Sequence, residues 1–149
     1  MSSCTFFGHR DCSNDIEHSL RHVLTDLIEN KNVNFFYVGN NGNFDYIARK
    51  TLQSLKINYP HINYWVVLAY MPCKTQKADY HNQSIYPEIL DNVPRKYAII
   101  ERNKWMINKS DYVVTYVKYN FGGASTFKNL AEQKRKKVIN LFNKKSRDD

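Results

Sequence analysis

The chain has 149 residues, 42% of them hydrophobic, with a formal charge of +8 and an isoelectric point near 9.4. That length supports one well-formed core and excludes two comfortable domains. The basic balance suits an anionic partner, whether a nucleotide, a nucleic acid or a membrane surface.

Cys4, Cys12 and Cys73 are widely spaced and form no C-x-x-C pair, which argues against a disulfide framework or a structural zinc site. No segment is long and apolar enough to span a bilayer, and the opening Met-Ser-Ser-Cys-Thr-Phe-Phe-Gly lacks a leader pattern. A cytoplasmic protein with no membrane partner is the expectation.

Along the chain, short apolar runs alternate with three-to-four spacing, the pattern of an alternating β/α domain. Cys4 to Phe7 reads as a strand ended by Gly8-His9-Arg10. Asn14 and Glu17 stand at capping-box spacing, and Ile16, Leu20, Val23, Leu24, Leu27 and Ile28 repeat as one helical face. Val33 to Val38 is a continuous apolar strand, and its exit, Gly39-Asn40-Asn41-Gly42-Asn43, is rich in residues that tolerate positive φ. A helix starts near Asn43, with Phe44, Ile47, Ala48, Leu52 and Leu55 as its buried stripe, and Pro60 prevents its continuation.

Ile62 to Tyr70 reads as a third strand, buried on both faces. Residues 71–95 are polar and too long for an ordinary connection, which suggests a lid or a surface insertion. Ile99 to Lys109 is a helix carrying Arg102 and Met106, and Asp111 to Val117 is the fourth strand. After Gly122-Gly123, Phe127, Leu130 and Ala131 define a last helix, closed by the basic run Lys134 to Lys137. Val138 to Phe142 is the fifth strand, residues 1–143 form the single domain, and 144–149 are expected to fray.

Five strands joined mainly by helices imply a mainly parallel sheet in a Rossmann-like three-layer α/β fold, whose ligands collect at the carboxyl ends of the strands. The loops at those ends carry the candidate site. Glycine at 122 and 123 lets the backbone approach a phosphate, Ala124 begins the helix, and Ser125 and Thr126 add hydroxyls at its start. Gly8, His9 and Arg10 supply a second loop, with a guanidinium suited to phosphate. Gly39, Asn40, Asn43 and Asp45 form a third, with Asp45 a candidate for a ribose hydroxyl. Tyr70-Met71-Pro72 after the third strand is the fourth loop expected to converge there, and Phe44, Tyr70, Met71 and Trp105 are candidates to sandwich a base, although such aromatic residues also suit a core. His18 and His22 share a helix face but have no third metal ligand in view, so no metal site is expected.

Arg102-Asn-Lys-Trp-Met106, then Asp111, a strand, and Gly122-Gly123-x-Ser125-Thr126 resemble the Arg-x-x-x-Met, Asp and Pro-Gly-Gly-x-Gly-Thr-x-x-Glu pattern of the LOG (Lonely Guy) nucleotide phosphoribohydrolases. These belong to the SLOG superfamily of Rossmann-like domains, together with the DNA-processing protein DprA, and the opening Cys4 to Arg10 is similar to that of small bacterial SLOG proteins.

The resemblance covers nearly the whole chain. It implies a nucleotide or ADP-ribose-like ligand, no other cofactor, a homo-oligomer, and Arg102 as a site residue. In LOG enzymes the Glu three residues after the Thr acts with the Arg on the N-glycosidic bond. Here that position is Asn129, and an amide cannot take a proton as a carboxylate does. Phe121 stands in place of the family's Pro, and Ser125 in place of its last Gly. Binding without hydrolysis is therefore the leading expectation. One alternative is nucleoside monophosphate cleavage with Arg102 and a relocated acid, Glu132, one turn on. The other is DprA-like binding of single-stranded DNA, which positive charge and aromatic content favour and which should weaken steeply with salt.

Overall fold

The structure, a computed structural model, describes residues 2–71 and 83–142. Pro72, Cys73, Tyr80 and the tail from Asn143 lie outside the described residues. The strands are β1 (Ser2–Gly8), β2 (Val33–Val38), β3 (Asn63–Val67), β4 (Ser84–Ile85), β5 (Tyr112–Tyr116) and β6 (Lys137–Asn140). The helices are α1 (Glu17–Asn30), α2 (Asn43–Asn58), α3 (Ala98–Lys109) and α4 (Gly123–Gln133).

The strands form one parallel sheet in the order β4-β3-β2-β1-β5-β6. The sheet has six strands where the sequence predicts five. The extra strand, β4, pairs Ser84 and Ile85 with Val66 and Val67 in the second half of the expected insertion, and Leu68 N–H donates to the Ile85 carbonyl at 2.8 Å. A short helical turn over Glu88–Asn92 follows and buries Leu90, so this half packs onto the domain.

Alternation along the strands divides the interior between the two faces of the sheet. Cys4, Phe6, Phe36, Val38, Val66 and Val114 meet the apolar stripes of α1 and α2. Phe7, Val67 and Val113 meet Met106 and Ile107 of α3 and Phe127 and Ala131 of α4. The result is the expected three layers, and each residue assigned to the buried stripes of α1 and α2 is buried. Among the described residues no helix is long and apolar enough to cross a membrane.

Two helix termini differ from expectation. Ser13, not Asn14, caps the helical turn before α1, accepting from Asp15 N–H, while Asn14 is bound to Asn43. The basic run lies just past the last turn of α4 rather than within it. Lys136 N–H reaches back to the Ala131 carbonyl and Arg135 takes a φ of 61°, closing α4 with a left-handed residue where glycine is usual.

Cys4 and Cys12 are buried and unpaired. Burial pushes the Cys12 thiol up to about 11 and the Cys4 thiol higher still, so neither is a ready nucleophile at neutral pH.

Candidate functional site

Strand order reverses at β1: the chain runs outward through β2, β3 and β4, then returns to place β5 on the other side of β1. The loop after β1 leads to the α1 and α2 layer, whereas the loop after β5 leads to α4 on the opposite face. Their divergence opens a crevice at the carboxyl ends of the strands, where ligands of such sheets bind. A cleft of about 330 Å³ lies there. Its walls are Gly8, His9 and Arg10 after β1, Asn41 and Asp45 around the start of α2, Gly123 and Ala124 at the start of α4, and Arg102 and Asn103 on α3. Ile99, Ile100, Met106 and Phe127 complete an apolar side.

The start of α4 is the open wall. Gly122 holds a φ of 95° and a ψ of 175°, which only glycine adopts at low cost, and no side chain caps the helix. A Cβ at Gly122 or Gly123 would meet nothing within 4 Å. The first turn contains no acidic residue, so the amide groups of Gly123, Ala124 and Ser125 and the positive end of the helix dipole have no internal anion.

Neither of the two residues expected to add hydroxyls there is part of the cleft lining. Thr126 Oγ donates to the Gly122 carbonyl at 3.0 Å, and Ser125 is buried away from the cleft lining.

The β1 loop is tied to both neighbours. His9 N–H donates to the Tyr116 carbonyl, and its Nε2 accepts from Lys118 N–H at 2.9 Å. Such acceptance requires a neutral ring protonated on Nδ1, and burial lowers the His9 pKa, with Asp11 opposing and Lys118 assisting. His9 therefore braces the loop between β5 and α4. Arg10 presses its stem against Gly42, where a Cβ would come within 2.7 Å of both Arg10 Cα and Cγ. Arg10 lines the cleft, and its guanidinium makes no hydrogen bond among the described residues. Gly8 is needed for packing, because a Cβ there would stand 2.3 Å from the Phe44 ring.

Arg102 lies beneath the cleft, only 2% exposed. It donates to the Val67 carbonyl at 2.8 Å, to Asn40 Oδ1 at 3.3 Å, to Asn41 Oδ1 at 2.8 Å and to Asn103 Oδ1 at 2.8 Å. This guanidinium organises the loop after β2 and places a positive charge in the floor. Burial lowers its pKa and Asp45 raises it, but a guanidinium stays charged in either case.

Asp45 accepts from Asn41 N–H at 3.0 Å. Burial pushes its carboxyl up to about 6, against the pull of that bond and of Arg102, Arg49 and Arg10. Gly39 is what lets these groups approach. A Cβ there would be 2.8 Å from Asp45 Oδ2 and 3.3 Å from Arg102 Cζ.

Other expected contacts fall elsewhere. Asn43 Nδ2 donates to the Cys12 carbonyl at 2.6 Å and to Asn14 Oδ1 at 2.9 Å, so it joins two loops rather than facing the cleft. Phe44 is buried under Gly8 and offers no face to a base. Tyr70 and Met71 line a separate hollow with Tyr86, Asp91 and Arg95, and the Arg95 guanidinium sits 4.3 Å from the Tyr70 ring centroid. Trp105 packs edge-on against Tyr37. Asn129 is exposed outside the cleft lining, and Glu132 is exposed and paired with Lys128 at 3.2 Å, so the displaced acid has no geometry toward the cleft.

His18 and His22 are exposed on α1, and no cluster able to hold a metal ion occurs among the described residues. Asn41 and Asn103 were not singled out by sequence, although Asn41 lies within the positive-φ loop already flagged.

A search among curated proteins returns no match. A family model named YpsA, described as the YspA SLOG family, matches residues 4–144, a span that contains every wall of the cleft. The chain therefore belongs to the YspA SLOG family.

Proposed function

We propose that this protein binds a nucleotide or ADP-ribose-like molecule in the cleft between β1 and α4, and does so without cleaving it. The observation that carries the reading is the start of α4, where glycines leave open space, the amide groups have no side-chain cap, and no acid fills the first turn. A phosphate at that point would accept from the amides of Gly123 and Ala124 and lie on the favourable end of the helix dipole. Arg10 supplies an exposed cation from the facing loop, and Arg102 a buried one from below. The cleft volume suits a ligand of nucleotide size.

Neither Asn129 nor Glu132 lines the cleft. Among the described residues the one carboxylate that does, Asp45, holds Asn41 N–H, so the reading gives it the task of shaping the loop and receiving a ribose hydroxyl. A sensor or a sequestering protein, assembled as a homo-oligomer, fits this chemistry.

Isothermal titration with AMP, GMP, cyclic oligonucleotides and ADP-ribose tests the reading, and the expected result is saturable binding that weakens in Arg10→Ala. Absence of binding at millimolar ligand would overturn it. Incubation with AMP and GMP followed by chromatography is expected to leave the nucleotides intact. Release of free base that is lost in Asp45→Asn would replace binding with hydrolysis.

A further inference from the structure

The segment between β5 and α4 carries an aromatic column. Tyr119 and Phe121 stack with centroids 5.3 Å apart and planes 24° from parallel. Tyr119 also lies 5.3 Å from the His9 ring, which is fixed by its bond from Lys118 N–H. The column stands beside the cleft: Tyr119 and Phe121 are not themselves lining residues, but the His9 ring at one end and Gly123, two residues after Phe121, both are. Despite their size, Tyr119 is 50% exposed and Phe121 68%.

A single exposed aromatic residue needs no explanation, but adjacent stacked rings beside the cleft form an exposed apolar surface, with Lys118 Nζ 5.9 Å from the Tyr119 ring centroid.

We infer that Tyr119 and Phe121 are the base-stacking platform of the cleft, receiving the planar heterocycle of a nucleoside 5′-phosphate whose phosphate rests on α4. This rests on the phosphate reading above. Two peptide links separate Phe121 from Gly123, a Cα span of at most about 7 Å, comparable with the distance from phosphate to base within one nucleotide. The ligand therefore bridges the two without chain rearrangement. Stacking on an aromatic face tolerates any base, so the platform adds affinity for a heterocycle while contributing little choice among bases. It also assigns Phe121, which stands where the LOG pattern has Pro, to ligand contact.

The test is calorimetric titration of ribose 5-phosphate and of AMP into the full chain and into Phe121→Ala and Tyr119→Ala. The wild type should bind AMP at least about tenfold tighter than ribose 5-phosphate. Phe121→Ala should erase that preference while leaving ribose 5-phosphate unchanged, and Tyr119→Ala should reduce it. In Phe121→Trp, AMP should quench the new indole fluorescence and ribose 5-phosphate should not.

Equal binding of both ligands to the wild type, or an undiminished AMP preference in Phe121→Ala, would overturn the platform and leave the phosphate site standing. Failure of the wild type to bind either ligand would remove the phosphate site and the platform with it. A change in sedimentation on Phe121→Ala with the AMP preference intact would make the column an interface between copies and overturn the inference.

Discussion

Helices α2 and α4 begin with almost the same backbone and opposite surroundings. Gly42 before α2 has φ 91° and ψ 176°, and Gly122 before α4 has φ 95° and ψ 175°, each at the carboxyl end of a strand and neither helix with a side-chain cap. At α2 the protein fills its own helix start: Arg10 packs against Gly42, and Asp45 in the first turn brings a carboxylate that holds Asn41 N–H. At α4 the residue in Asp45's position is Ser125, nothing approaches Gly122 or Gly123, and no acid is present. The same local device thus completes the fold at one place and leaves an open surface at the other. What surrounds a glycine-capped helix decides which role it takes.

The largest effect should come from breaking the filled side. Arg102→Met leaves the Val67 carbonyl, two loop amides and the Asp45 carboxyl without their buried cation, and should cost about 3 kcal/mol or more in urea denaturation.

Gly42→Ala comes next. Its positive φ costs about 1 to 3 kcal/mol and the collision with Arg10 Cα adds to that, whereas Gly122→Ala pays the strain alone. Thermal unfolding should therefore rank Gly42→Ala as clearly the more destabilised. Similar losses for the two would remove the contrast between a filled and an open helix start.

A pH effect should follow from Asp45. Its folded pKa of about 6 lies above that of the unfolded chain, so the folded state binds the proton more tightly. The stabilisation is complete below the unfolded pKa near 4 and is lost as pH rises through about 6. Asp45→Asn should flatten that slope. Ionised Asp45 also opposes an anion in the cleft, so sulfate, which does not titrate in this range, should bind severalfold better at pH 5 than at pH 7 in the wild type and equally in Asp45→Asn.

The smallest effect belongs to Glu132→Ala, which removes an exposed pair with Lys128 and should change stability by about 0.5 kcal/mol or less, with no effect on ligand binding.

Much of the fold was legible because its elements are governed by short-range pattern. The run Val33 to Val38 and the stripe from Phe44 to Leu55 are apolar at the periods of a strand and a helix, and they occupy those elements. β4 was not legible: two residues in a polar stretch have no period, and Ser84 and Ile85 become a strand only because Val66 and Val67 lie alongside.

At the site, the sequence predicts four converging loops and Arg102; three of the loops and Arg102 line the cleft, the Tyr70-Met71 loop lines a separate hollow, and the orientation of the groups was not legible. Asn43 and Thr126 are polar residues at helix starts whose hydrogen bonds go to their own chain. Phe44 belongs to the same helical stripe as Ile47 and Ala48, and that membership already argues for the core. Tyr119 and Phe121 carried no local signal, since an aromatic residue after a strand reads alike whether packed or exposed.

The most direct measurement exchanges the character of the two helix starts. Gly123→Asp gives α4 an internal carboxylate like the one α2 has, at an open first-turn position where an acid favours the dipole by about 0.3 to 1 kcal/mol. Calorimetric titration with AMP, alongside thermal unfolding, should find a protein at least as stable as the wild type that no longer binds. An equally stable variant that binds AMP as the wild type does would contradict the assignment of the α4 start as the phosphate site.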